Sequence, residues 1–139
     1  LIPSLGYPTY TSVTKMVEGV PVYYPLNAEE SWKPDWQFLE RLDTSKVKLL
    51  WMNYPHMPTG VCASDQTFER FVNYAKERDI LLCHDNPYNF VLNDNPKSIF
   101  NFDYNKEVSI ELHSLSKSFN MAGWRVGWRS IWEMIGSKV

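Results

Sequence analysis

Apolar residues along the chain recur at two spacings, one helical and one of strand type. Over residues 9–18, Tyr10, Val13 and Val17 fall at i, i+3 and i+7, with Pro8 before them and Gly19 after. That spacing, with a start and a stop signal, predicts a helix. Residues 20–26 read as a short strand, and the two prolines within it predict an edge position or an irregular course. Residues 33–43 are predicted helical from Trp36, Leu39 and Leu42 at three-residue steps. Residues 47–53 (VKLLWMN) form a near-continuous apolar run, the pattern of a strand covered on both faces. The best-defined helix is predicted over 64–78. Ser64 is a good N-cap, Asp65 suits the first turn, and Phe68, Phe71, Val72 and Ala75 make one apolar stripe. Further strands are predicted at 80–84, 108–113 and 124–128, and a last helix at 131–138.

Helices alternating with apolar strands imply an α/β fold, a mostly parallel, mixed sheet flanked by helices. Ligands of such sheets bind beyond the carboxyl ends of the strands. The stretches to read for chemistry are therefore residues 54–60, 85–88 and 114–117. All three are polar and turn-like, and together they hold an acid, phenols, hydroxyls and an amine.

Composition narrows the reading. A chain of 139 residues fits one domain or part of one. Six Trp, eight Tyr and seven Phe argue against disorder. With 14 basic and 16 acidic residues and no basic run, the electrostatic footprint of a nucleic-acid binder is missing. Cys62 and Cys83 make no disulfide framework, and no spaced Cys/His set indicates a metal site. No apolar stretch has membrane-spanning length, and no signal-peptide pattern is visible. A cytoplasmic setting is the default expectation.

The segment SLSKSFNMAGWRVG at 114–127 puts a lysine directly after a strand, between small hydroxyls, with an arginine eight residues on. It resembles the lysine signature of the class I/II aminotransferases, fold-type I enzymes that use pyridoxal 5'-phosphate. Three further stretches agree, in the family's order. GYPTY at 6–10 resembles the turn carrying the aromatic that stacks on the cofactor ring. NYPHMPTG at 53–60 resembles the loop ending in Pro-Thr-Gly, and HDNPY at 84–88 resembles the Asp-x-x-Tyr pair.

The resemblance implies a role for each matching residue. Lys117 would form the Schiff base and then act as general base. Asp85 would pair with the pyridine nitrogen, and Tyr88 would donate to the ring's phenolic oxygen. Arg125, Ser114 and Ser116 would hold the phosphate, and Tyr7 would lie over the ring. The implied reaction is amino transfer between an L-amino acid, aspartate being the expected donor, and a 2-oxo acid, at the interface of a homodimer. The resemblance also implies a cis bond before Pro58.

The chain departs from the pattern at Met57, where the family loop has an asparagine that donates to the phenolic oxygen. Methionine cannot donate, and Asn53 and His56 are the nearby candidates to replace it. Three parts of such an enzyme are not found here: an upstream phosphate-binding turn, a C-terminal small domain with a carboxylate-binding arginine, and the partner subunit's groups. The expectation is therefore the central part of a large cofactor-binding domain. Two alternatives remain open: a lyase, synthase or decarboxylase of the same fold, and a nonenzymatic module that kept the sheet. A nicotinamide-binding domain is disfavoured, because no G-x-G-x-x-G follows a strand.

Overall fold

The computed structural model describes residues 1–91, 93–104 and 106–131. The helix predicted at 131–138 lies, beyond Ile131, outside the described residues.

A four-stranded sheet forms the centre, in the order β5 (Leu49–Met52), β6 (Leu81–Asp85), β7 (Ser109–Ser114) and β8 (Gly127–Ser130). β5, β6 and β7 run parallel, and β8 pairs antiparallel with β7. The expected mixed, mostly parallel sheet is thus present. A short strand β1 (Ile2–Pro3), which the sequence reading missed, pairs in parallel with β2 (Tyr23–Tyr24). It also extends the sheet past β5, since Leu1 accepts from the Trp51 amide at 2.9 Å. Two residues are too few for hydrophobic period to register.

α3 (Asp65–Glu77) covers one face of the sheet. Ser64 caps it by accepting from the Thr67 amide, and all four predicted stripe residues, Phe68, Phe71, Val72 and Ala75, are buried. They meet Leu50, Met52 and Leu82 in one core, with Tyr24, Leu39 and Ile99. The opposite face is thinner. Leu49 and Trp51 are only half-buried there, so β5 is fully covered on one face and partly on the other. The cover over Trp51 is the ring of Tyr10 from α1 (Pro8–Met16), stacked at 4.5 Å between centroids.

Three predicted elements are corrected. In α1 only Tyr10 of the expected stripe is buried; Val13 and Val17 face outward. The helix expected at 33–43 shortens to α2 (Trp36–Arg41), because Lys33–Pro34 is a strand, β4, paired with β3 (Leu26–Asn27). Asp35 then caps the helix, accepting from the Phe38 amide at 3.0 Å. The strand expected at 124–128 starts later, at Gly127. Trp124 closes a 3-10 turn and Arg125 is left-handed at φ 55°, which no strand tolerates. Trp124 and Trp128 are both exposed. The irregular course of residues 20–26 is as anticipated, two two-residue strands.

Phe71 is fully buried and sits among Tyr24, Trp36 and Tyr54. Phe71→Ala is expected to lower unfolding free energy by about 3–5 kcal/mol in urea titration, since it leaves an aromatic-sized cavity.

Candidate active site

Alternation along β6 sends His84 and Asp85 to opposite faces. Asp85 ends the strand on the thinner face, where the Tyr10 hydroxyl donates to its Oδ2 at 2.5 Å. Burial pushes the Asp85 carboxyl above the ordinary aspartate range, while the Tyr10 hydrogen bond and the fields of His84 and His113 pull it back. Tyr10 was read from sequence only as a helix residue; nothing in its spacing reveals that it reaches a carboxylate 75 positions away. The Tyr7 ring stands edge-on to Tyr10 at 5.9 Å and is about half exposed.

From Asp85 the chain turns through Asn86 and Pro87 to Tyr88. The Lys117 Nζ lies 5.8 Å from the centre of the Tyr88 ring. Lys117 is exposed on α4 (Leu115–Ser118), a single turn that leaves the end of β7. Ser114 starts it: its hydroxyl oxygen accepts from the Ser116 amide at 3.1 Å and keeps its own proton for another acceptor. Ser116 is half-buried beside it. The Ser118 hydroxyl donates to the Pro87 carbonyl, so the lysine turn rests on the acid-bearing turn.

Arg125 arrives from the other side. The Leu115 amide donates to the Val126 carbonyl at 3.1 Å, and Ser114 faces Gly127 across the β7–β8 pair. That approach is open only to glycine, because a Cβ at 127 would lie 2.5 Å from the His113 carbonyl oxygen. The Arg125 guanidinium is exposed and donates to the Ala122 carbonyl at 3.1 Å. Asp85, Tyr88, Ser114, Ser116 and Lys117 therefore lie on adjoining turns at the carboxyl ends of β6 and β7, with Arg125 on the turn that leads into β8 and Tyr7 beside Tyr10.

The Pro58 loop is held from within. The Asn53 amide donates to the Asp85 carbonyl, and its Oδ1 accepts from the Met57 amide, both at 2.8 Å. His56 contacts the Leu5 carbonyl at 2.7 Å and the Thr59 hydroxyl at 2.8 Å. Both side chains are buried at 2% exposure. They hold the loop from within. The bond before Pro58 is cis as expected, and so is the one before Pro55, which the sequence reading did not anticipate.

A buried polar cluster lies behind the rim, on the α3 face. Glu111 of β7, at 1% exposure, accepts from the Asn86 amide at 2.7 Å and the Ser98 hydroxyl at 2.5 Å. The His84 Nδ1 is 3.1 Å from it and the His113 Nε2 3.6 Å. Burial raises the Glu111 carboxyl, but the His84 ring, Ser98 and Asn86 outweigh it and hold it at about 2. His84 also meets the Tyr54 carbonyl at 2.8 Å, so it is a packed strand histidine that does not touch Asp85 directly. Glu111 was overlooked in sequence, although a lone charge inside the strand VSIELH was a visible signal.

The mixed α/β sheet flanked by helices matches the fold of fold-type I aminotransferases. A family model for aminotransferase class I and II matches residues 1–137, and the chain belongs to that family, whose enzymes use pyridoxal phosphate. It is 43% identical over 129 residues to LL-diaminopimelate aminotransferase 2 of Trichormus variabilis, covering 91% of this chain and 33% of that protein. Identity to the LL-diaminopimelate aminotransferase of Dehalococcoides mccartyi is 42% over 130 residues, with 91% and 33% covered. Substrate-bound BacF of Bacillus subtilis superposes with a TM-score of 0.87 at 35% identity, over 98% of this chain and 35% of that one. An aromatic aminotransferase of Pyrococcus horikoshii does so at 0.88 and 27%, over 99% and 37%. The chain thus spans about a third of the length of these relatives.

Two outcomes follow from the electrostatics. Tyr10→Phe removes a donor to the charged form of Asp85, so the Asp85 pKa is expected to rise further in a carboxyl NMR titration. For Glu111 the folded pKa of about 2 lies below the ordinary 4.5. Its stabilisation is therefore whole above pH 4.5 and lost as pH falls toward 2. In urea unfolding, the advantage of wild type over Glu111→Gln is expected to narrow across that window.

Proposed function

We propose that this chain is the central part of the large, cofactor-binding domain of a pyridoxal-phosphate-dependent aminotransferase, with Lys117 as the residue that carries the cofactor. The observation behind this reading is the exposed Lys117 ammonium poised over Tyr88, on a turn hydrogen-bonded to the one that follows Asp85. The donor set suits the cofactor in kind. A largely buried carboxylate answers a protonated ring nitrogen, a phenol answers a phenolate oxygen, and an exposed guanidinium with a hydroxyl answers a phosphate.

Pyridoxal phosphate, when bound, supplies an electron sink for the pair left at the substrate α-carbon. The chain's own groups do the rest. Asp85, held by the Tyr10 hydroxyl, would face the ring nitrogen and keep a proton on it. Tyr88 would donate to the phenolic oxygen, with no second donor from Met57. Arg125, Ser114 and Ser116 would bind the phosphate, and Tyr7 would cover one ring face. Lys117 would hold the cofactor and, as a free amine, would serve as the base for the substrate α-proton.

The relatives' activities favour LL-diaminopimelate over aspartate as the amino donor, with a 2-oxo acid as acceptor. The remaining parts of such an enzyme, a small domain with an arginine for the substrate carboxylate and a second subunit, belong to the same proposal. Borohydride reduction of the full-length protein with pyridoxal phosphate, then peptide mass spectrometry, is expected to find a phosphopyridoxyl adduct on Lys117. It should vanish in Lys117→Ala, with amino transfer falling by at least about 1000-fold. An unmodified Lys117 in the wild type would overturn the reading.

A further inference from the structure

We propose that Glu111 is a positioning residue for the cofactor site, tying the turn that carries Asp85 and Tyr88 to the strand that carries Ser114 and Lys117. This rests on the proposed function, because it concerns how that site keeps its shape.

The case starts from cost. A carboxylate at 1% exposure in the middle of a strand gives up its hydration. Filling such a place with an apolar side chain is often neutral or stabilising. Packing alone therefore gives no reason for the residue. What distinguishes it is where its partners sit. His84 on β6 and Asn86 in the turn after it flank Asp85, and both face Glu111 Oε1, at 3.1 and 2.7 Å. His113, 3.6 Å from Oε2, directly precedes Ser114. Ser98, bonded to Oε2, closes the 86–98 loop that begins at the Asp85 turn. One side chain thus touches both halves of the site from behind, without reaching the rim itself.

The grip on Asn86 is the part with leverage. Its amide nitrogen donates to Glu111 and to the Lys97 carbonyl at 3.0 Å, and its backbone N–H donates to the Leu112 carbonyl at 2.8 Å. Its Oδ1, buried, has no partner among the described residues. The amide is therefore oriented by what its nitrogen reaches. Released from Glu111, it can rotate to satisfy the oxygen, and the turn bearing Asp85 and Tyr88 shifts with it. Shifts well under 1 Å matter where reacting groups must align.

The test uses full-length protein titrated with pyridoxal phosphate, reading the visible absorbance of the bound cofactor, its affinity and the thermal midpoint. Glu111→Gln is expected to shift the absorbance band and weaken affinity on the order of tenfold, the equivalent of one hydrogen bond to a charged group. Ser98→Ala, a milder change in the same cluster, should move the band in the same direction by less. Asp103→Asn is the control: Asp103 is another fully buried acid, paired with Lys76 at 3.0 Å and away from the rim. It should lower the midpoint and leave the band in place. If Glu111→Gln and Ser98→Ala lower the midpoint yet leave band and affinity as in wild type, Glu111 is structural only and the proposal falls. Should Glu111→Gln not fold, an unmoved band in Ser98→Ala overturns it. A wild-type protein that takes up no cofactor would instead bring down the proposed function, and this inference with it.

Discussion

The register of β6 against β7 is the constraint on which the rest depends. Leu82 to Asp85 pair in step with Ser109 to Leu112, and the Asn86 amide continues the ladder onto Leu112. A slip of one residue would exchange the two faces of a strand. Asp85 would then point into the α3 core and His84 toward Tyr10. The apolar side chains under α3, Leu50, Met52 and Leu82, hold that register, because any slip takes them out of the core. Hydrophobic packing on one face thereby aims the polar groups at the end of the other.

The two faces divide the labour. The α3 face is densely packed, yet it also carries His84 and Glu111, a charge-bearing pair that neighbours must satisfy at every oxygen. The thinner face carries Tyr10, Trp51 and Asp85, and opens at its carboxyl end onto the lysine turn. Trp51 is covered there by an aromatic ring whose hydroxyl is already bonded to the acid. A single side chain thus closes part of the core and sets the electrostatics of the site, linking stability to chemistry at Tyr10.

Much of this was legible in the sequence. The central parallel strands and α3 have strong periods and clear caps, and their packing follows those signals. The candidate residues stand out through the lysine segment and the order of the shorter stretches around it. What escaped had physical reasons. The strand β1 is too short for any period. Lys33 and Pro34 read as a helix start because the pairing that makes them a strand is tertiary. The Arg125 turn depends on a left-handed residue that sequence does not mark unless it is glycine. Tyr10 and Glu111 escaped because their meaning lies in partners distant along the chain. The structure also narrows an option left open by sequence, since both ring nitrogens of His56 are engaged, with Leu5 and Thr59.

Tyr7 occupies the N-cap of α1 and makes no capping hydrogen bond, with Pro8 following it. A serine or aspartate there would stabilise the helix by about 1 kcal/mol. On the proposed reading the position is spent instead on a ring that faces the cofactor. Selection for thermostability alone would drift toward a capping residue at 7 and dull the enzyme, a local instance of the trade between robustness and activity.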